Sequence, residues 1–285
     1  MPPDFLASEL DHCDPERSFF HVIPVPMEAS VSYGGGTALG PAAILEASQQ
    51  LEAWDGRSLP LERGIHTTAP VDCSGTGETV LDRITARTEE TLAMGALPVA
   101  LGGEHALTLG LLRALKRRGD FGIVQFDAHA DLRDEYEGNP FSHACVMRRA
   151  IDELGLPVFQ LGVRALCREE HLFRSRAGVG FLDARTLYER GIPDELLPRD
   201  FPERIYISFD VDGLDPSVIR ATGTPVPGGL SWHDSLTLVE KAVSGRTVVG
   251  FDVVELAPSS GDHASDFAAA QLVYAIMGIV HRGRQ

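Results

Sequence analysis

The chain predicts an α/β fold, a mostly parallel sheet with helices packed on both faces. Three features point there. Short apolar runs recur along the chain, longer segments with helical spacing separate them, and acids and histidines collect just beyond the runs. In such sheets ligands bind past the carboxyl ends of the strands, so the third feature belongs with the first two.

The candidate strands are residues 19–25, 97–101, 122–126, 158–163, 179–182, 205–209 and 248–254. They run apolar without regular alternation, which suits strands covered on both faces. Residues 79–94 mix polar and apolar side chains at helical spacing. Residues 106–117 are amphipathic and lead into Lys116, Arg117, Arg118 and then Gly119. Cations suit the negative end of a helix and glycine suits its cap. Ser231 and Asp234 read as an N-cap and acidic first turn ahead of residues 236–243. Residues 264–279 form a small-residue-rich apolar pattern, expected to be a buried helix. Strands alternating with helices imply a parallel sheet. No repeat or linker divides the chain, which reads as one domain over residues 1–285.

Composition narrows the function. The formal net charge is −16, from 25 basic and 41 acidic residues. That excludes sequence-independent binding to nucleic acid, which needs a basic surface, and it favours cationic small molecules and metal ions. Cys13, Cys73, Cys145 and Cys167 contain no CxxC pair, so neither a zinc knuckle nor a disulfide framework is expected. The first 14 residues carry acids and no apolar signal core. No apolar run approaches the roughly 20 residues a membrane helix needs. A cytoplasmic protein without a membrane partner is the expectation.

Four segments place chemistry at strand ends. They are Leu97-Pro-Val-Ala-Leu-Gly-Gly-Glu-His105, Ile123-Val-Gln-Phe-Asp127-Ala-His129-Ala-Asp131, Ile205-Tyr-Ile-Ser-Phe-Asp210-Val-Asp212 and Val248-Val-Gly-Phe-Asp252-Val-Val-Glu255. In extended chain, residues i and i+2 point the same way, so Asp127, His129 and Asp131 would project as one row and Asp210 with Asp212 as another. Carboxylates so close would repel and several would protonate unless dications neutralised them. Four aspartates and two histidines, His105 included, offer mostly hard oxygen donors and no thiolate. That favours manganese- or magnesium-like ions over structural zinc, with imidazole tilting toward a transition metal. Two such ions lower the pKa of a water between them and supply hydroxide at neutral pH. Gly102 and Gly103 suit a tight turn, and Glu104 suits the first turn of the following helix. Asp215 suits the Gly-Leu-Asp-Pro turn, and His233 and His263 suit helix starts. His12, His21, His66, His171 and His281 have no constellation around them.

Gly102-Gly-Glu-His105, Asp127-Ala-His-Ala-Asp131 and Asp210-Val-Asp-Gly-Leu-Asp-Pro216 resemble the three signature segments of the ureohydrolases, the family of arginases and agmatinases. Tyr33-Gly-Gly-Gly-Thr-Ala-Leu-Gly-Pro41, Gly223-Thr-Pro225 and Phe251-Asp-Val-Val-Glu255 extend the resemblance over roughly residues 20–280. It implies an arginase-like three-layer α/β/α sandwich and two manganese ions per chain. His105, Asp127, Asp131 and Asp210 would hold one ion. His129, Asp127, Asp210 and Asp212 would hold the other, with Asp127 and Asp210 bridging. A homo-oligomer, trimer or hexamer, is implied as well. Glu104 and Ala106 stand where the family often has Asp and Ser, so support around His105 should differ.

The chemistry assigns further roles. Hydroxide would attack the guanidinium carbon, and Glu255 would pair with the guanidinium nitrogens and fix its plane. Asp131 would relay a proton to the departing nitrogen. His143, which aligns with the family's shuttling histidine, would contact substrate and exchange protons with solvent. The resemblance also makes Thr224 a neighbour that steadies Glu255.

The far end of the substrate is less defined. Where arginases read the α-amino and α-carboxylate groups, this chain has Arg133 and Ala165-Leu-Cys167. Asp131-Leu-Arg-Asp-Glu135 and the stretch from Ser142 to Arg149 look like the agmatinase branch, which yields putrescine and urea. Agmatine is therefore the expected substrate, with 4-guanidinobutyrate, aminopropylagmatine and arginine as alternatives. Arg133 would oppose a cationic tail unless Asp134, Glu135 or Glu137 neutralised it. Two other classes stand against this reading. A single-zinc deacylase conflicts with the full second ligand set, and a catalytically silent binding protein conflicts with the presence of every ligand and shuttle.

Overall fold

The computed structural model describes residues 2–10 and 14–283, which leaves His12 and Cys13 outside the description. Eight strands form one sheet: β1 (Phe20–Val25), β2 (Ile65–Thr67), β3 (Leu97–Gly102), β4 (Gly122–Phe126), β5 (Val158–Leu161), β6 (Gly180–Leu182), β7 (Arg204–Asp210) and β8 (Thr247–Val254). Their order is β2-β1-β3-β8-β7-β4-β5-β6. Every pairing is parallel. Around it lie α1 (Gly40–Ala47), α2 (Gly77–Ala93), α3 (Thr108–Lys116), α4 (Val146–Leu154), α5 (Arg168–Arg176), α6 (Ala184–Arg190), α7 (Trp232–Val243) and α8 (His263–Arg282).

Parallel strands need crossovers, and here the crossovers build two cores. Val22, Val99, Val124, Ile207 and Phe251 pack with α1, α7 and α8. Their strand neighbours Ile23, Ala100, Ile123, Tyr206 and Val254 pack with α2, α3 and α4. Successive side chains of a strand point to opposite faces, so apolar runs without alternation are what a sheet between two helical layers requires. The expected three-layer α/β/α sandwich is the fold observed.

The expected strands form, with ends shifted by a residue or two. The short edge strand β2 was not anticipated, nor were α1, α4, α5 and α6. α5 shows why. Its buried residues are Glu170, Phe173 and Arg174, so it presents no apolar stripe to read. The residues expected to open α3 form a separate short 3-10 turn, His105–Leu107. Ser231 caps α7 as expected, its Oγ accepting from Asp234 N at 3.1 Å. Asp215 accepts from Ser217 N, Gly228 N and Gly229 N, as a turn aspartate should. α8 corrects one expectation. It has 20 residues and, by length and composition alone, is apolar enough to cross a membrane, although 61% of its apolar window is buried inside the fold.

The chain bends at Gly103 and Glu104, as the glycines led one to expect. Neither Gly102 nor Gly103 has a positive φ among the described glycines, so no left-handed turn requires them. Close approach does. A Cβ on Gly103 would stand 1.9 Å from Met27 O, and one on Gly102 would stand 2.5 Å from Val254 Cγ1. The backbone contact cannot relax by rotating a side chain. Gly103→Ala should therefore destabilise the protein by about 3 kcal/mol, at the upper end of overpacking costs. Urea denaturation reads this directly, and an unchanged midpoint would contradict the close-packing account.

Candidate metal centre and active site

The six expected ligands converge beyond the carboxyl ends of β3, β8, β7 and β4, the four central strands. His105 follows β3, Asp127, His129 and Asp131 follow β4, Asp210 ends β7, and Asp212 lies in the next turn. His105 Nδ1 is 3.2 Å from Asp127 Oδ2, 3.0 Å from Asp131 Oδ2 and 3.5 Å from Asp210 Oδ2. His129 Nδ1 is 3.0 Å from Asp212 Oδ2 and 3.6 Å from Asp127 Oδ1. Two donor groups result, His105–Asp127–Asp210 and Asp127–His129–Asp212, each with its ligand atoms within 4.8 Å of one another. Asp127 belongs to both.

Convergence is not achieved by extended rows. β4 stops at Phe126, and Asp131 adopts φ 53°, the left-handed region. The first free amides of α4 hold that conformation, Met147 N and Arg148 N both donating to Asp131 O at 3.1 Å. Asp212 sits in the 3-10 turn Val211–Gly213, its N–H donating to Asp210 Oδ1 at 2.8 Å. Turns rather than pleats aim these ligands.

A buried polar row lies under the cluster. Gln160, Gln125, Ser208 and Asp252 are register partners across β5, β4, β7 and β8, and all are fully buried. Asp252 accepts from Tyr206 Oη, Thr108 Oγ1, Ser208 Oγ and Phe209 N. Because the Ser208 hydroxyl donates to Asp252, its oxygen is free to accept from His105 Nε2, 2.8 Å away. That leaves Nδ1 of neutral His105 with its lone pair toward the aspartates. Nδ1 is buried without a hydrogen-bond partner of its own. An orphaned nitrogen facing three carboxylate oxygens is the arrangement a metal ligand needs, and the donor set fits a pair of divalent ions.

Electrostatics agree. Burial and the charge of Asp127 push Asp131 up to about 7, and burial with Asp212 and Asp127 pushes Asp210 well above the carboxylate range. Burial opposes a charged His129, but Asp127 and Asp212 win and raise it to about 12. His105 is raised in the same way by Asp127, Asp131 and Asp210. The crevice therefore holds protons where cations belong.

Glu255 follows β8 at φ 66°, also left-handed. Its N–H donates to Gly103 O at 2.9 Å, and its Oε1 accepts from His105 N at 2.5 Å. Burial lifts its carboxyl to about 8. Glu255, Thr224, His143, His129, Asp131, Asp210 and Asp212 line one narrow slot. The slot shares Ser32, His129, Asp131, His143 and Thr224 with a cleft of about 460 Å³ that also holds Arg133, Tyr136, Leu166, Cys167 and Glu170. His143 starts a short 3-10 turn, and burial lowers it to about 4, which leaves it neutral.

Sequence reasoning missed the anchor of His143. Ser30 Oγ lies 3.2 Å from His143 Nδ1 and accepts from His143 N at 3.0 Å. Glu104 accepts from Ser30 N at 2.6 Å and Ala29 N at 2.8 Å. Glu104 thus ties the 29–30 loop rather than a helix turn, a tertiary contact no local pattern could signal. Arg133 differs from expectation too. Asp134 is engaged by Arg148 and Arg149, while Arg133 lies over the Tyr136 ring at 5.1 Å. The ring face, rather than a neighbouring acid, accommodates this cation.

Comparison with known proteins adds independent findings. A family model described as the arginase family matches residues 19–278. The chain is 37% identical over 288 residues to the N(1)-aminopropylagmatine ureohydrolase of Synechocystis sp., covering 97% of this chain and 94% of that protein. It is 39% identical over 262 residues to the protein of that name from Thermus thermophilus, covering 90% and 89%. The crystal structure of agmatine ureohydrolase of Thermoplasma volcanium superposes with a TM-score of 0.88 at 32% identity, over 99% of this chain and 96% of that one.

Metal binding should release protons. His129 near 12 and His105 above its usual range are protonated at neutral pH without metal, and a ligand must be neutral. Mn2+ affinity should therefore rise with pH through the neutral range. Calorimetry in buffers of different ionisation enthalpy should show protons passing to the buffer. Affinity independent of pH, with no proton release, would refute the two-histidine ligand set.

Proposed function

The chain belongs to the arginase family and is a hydrolase of guanidino compounds, and from that premise we propose that it cleaves N(1)-aminopropylagmatine to urea and spermidine. The observation that carries the reading is Glu255. A buried carboxylate with a raised pKa lines the same slot as four of the six candidate ligands, His129, Asp131, Asp210 and Asp212, and accepts from the backbone N–H of a fifth, His105; a guanidinium supplies the charge it lacks. His105, Asp127, Asp131, Asp210, His129 and Asp212 would hold two manganese ions. When bound, such ions supply hydroxide at neutral pH and polarise the substrate.

The protein's own residues do the rest. Glu255 accepts from the guanidinium nitrogens and sets the plane of the group against the floor of the slot. Its Oε1 is already fixed by His105 N, so little freedom is lost on binding. Asp131 takes the proton released on attack and passes it to the nitrogen that leaves. The carbon–nitrogen bond to the tail breaks, giving urea and a free amine. Neutral His143, held by Ser30, moves protons between the slot and the open cleft.

The cleft beyond His143 supports a long polyamine tail. It is open and is lined by the Tyr136 ring, Arg133 stacked on that ring, and the buried carboxylate of Glu170, which Leu132 N and Cys167 N hold, in a chain of net charge −16. The names of the Synechocystis and Thermus relatives support the same tail. Agmatine, which ends four carbons from the guanidinium, is the second reading, favoured by the likeness to the Thermoplasma agmatine ureohydrolase.

A urea-release assay on manganese-loaded protein with both substrates, arginine and 4-guanidinobutyrate separates these readings. The expected result is the highest kcat/KM with N(1)-aminopropylagmatine and a lower value with agmatine. Preference for 4-guanidinobutyrate would instead assign Arg133 to a carboxylate. Glu255→Gln keeps shape and the bond from His105 N but removes the charge. It should lower kcat/KM by roughly 10² to 10⁴, the equivalent of about 3–5 kcal/mol for a buried charge left unpaired. Two metals should stay bound; full activity would sink the role of Glu255.

A further inference from the structure

Amides inside a sheet are costly unless their hydrogen bonds are made. Gln125 and Gln160 face each other in register on β4 and β5, both wholly buried, and the reaction uses neither. Their bonds form one connected path. Arg174 of α5, only 1% exposed, donates through Nε to Gln160 Oε1 at 2.8 Å. Gln160 Nε2 donates to Gln125 Oε1 at 2.5 Å and to Ala130 O at 2.6 Å. Gln125 Nε2 donates to Asp127 Oδ2 at 2.7 Å. At the outer end Arg174 Nη1 pairs with Asp183, and its guanidinium lies 4.2 Å over the ring of Phe181.

The direction of the path is forced. A guanidinium only donates, so the Gln160 oxygen must face Arg174. The amide nitrogen then faces Gln125 and the Ala130 carbonyl, which only accepts. The oxygen of Gln125 is occupied, so its nitrogen faces Asp127, whose ionised carboxylate also only accepts. Reversing either amide would set oxygen against oxygen at Asp127 or hydrogen against hydrogen at Arg174.

We propose that Arg174, Gln160 and Gln125 are positioning residues that orient the Asp127 carboxylate, the ligand common to both donor groups. The proposal rests on the reading of Asp127 as a metal ligand. Gln125 holds Oδ2, and His129 N holds Oδ1 at 2.6 Å, so the carboxylate plane is set before an ion arrives. Each oxygen keeps a second lone pair for metal. Supports of this kind change metal affinity when they are lost.

Calorimetric titration of Mn2+ into the chelator-stripped full chain tests this without relying on turnover. Gln160→Glu preserves length and the partner of Arg174 but cannot donate. Gln125 must then turn its nitrogen toward position 160 and its oxygen toward Asp127. Mn2+ affinity should fall roughly ten- to a hundredfold. Gln160→Met, which lets Gln125 keep facing Asp127, should lose less. In a Gln125→Met background, Gln160→Glu should add no further loss. Simple electrostatics predicts the opposite, since an added negative charge would tighten Mn2+. Unchanged or tighter binding by Gln160→Glu, an equal or larger loss in Gln160→Met, or additive losses in the double variant overturns the proposal. Thermal unfolding screens each variant first. Should Gln160→Glu not fold, Gln125→Met decides alone: a tenfold loss supports the proposal and unchanged affinity overturns it. A wild-type chain that takes up no Mn2+ overturns the ligand reading and the proposal together, a result distinct from wild-type binding with unaffected variants.

Discussion

Negative charge in one buried crevice is the constraint around which this protein is arranged. Asp127, Asp131, Asp210, Asp212 and Glu255 are all less than a tenth exposed; the last four line one slot, and Asp127 shares ligand groups with Asp210 and Asp212. Two like charges 4 Å apart repel by about 4 kcal/mol at an effective dielectric constant of 20. Five cannot all remain ionised without cations. The chain's own response, protons on His105 and His129 and raised carboxyls at Asp131, Asp210 and Glu255, shows how strongly the site is set against the metal-free state. Divalent ions held by the aspartates and histidines, and a guanidinium paired with Glu255, would relieve the repulsion.

Holding such a site open requires rigidity underneath. The sheet provides it by keeping one register level polar across four strands, while the residues above and below stay apolar. From that level, Ser208 reaches His105 and Gln125 reaches Asp127. Ligands on separate strands are thereby tied to a common floor. Local strain is held in the same manner. Asp131 and Glu255 take left-handed conformations, and backbone bonds to α4 and to Gly103 keep them there.

The sequence carried most of the fold and the cluster because both write themselves in short-range pattern. Unalternated apolar runs mark strands covered on two sides, and acids or histidines just past them mark the binding edge. Elements that lack an apolar stripe, α5 above all, left no such trace. Pattern also misled in detail. The spacing of Asp127, His129 and Asp131 suggested a pleated row, yet their meeting depends on a turn at Asp131. Gly102 and Gly103 suggested a bend, which forms, but what demands glycine there is contact with Val254 and Met27.

By itself the sequence determined which residues gather at the strand ends and what chemistry their side chains can support. Tertiary structure decided how those residues are held. Glu104 reaches Ser30 across 74 positions, Ser30 reaches His143 across 113, and Arg174 acts on Asp127 through amides on two strands. Hydrogen-bond direction and the plane of a carboxylate depend on which strands lie side by side. That adjacency is set by packing over the whole sheet, and no local spacing encodes it.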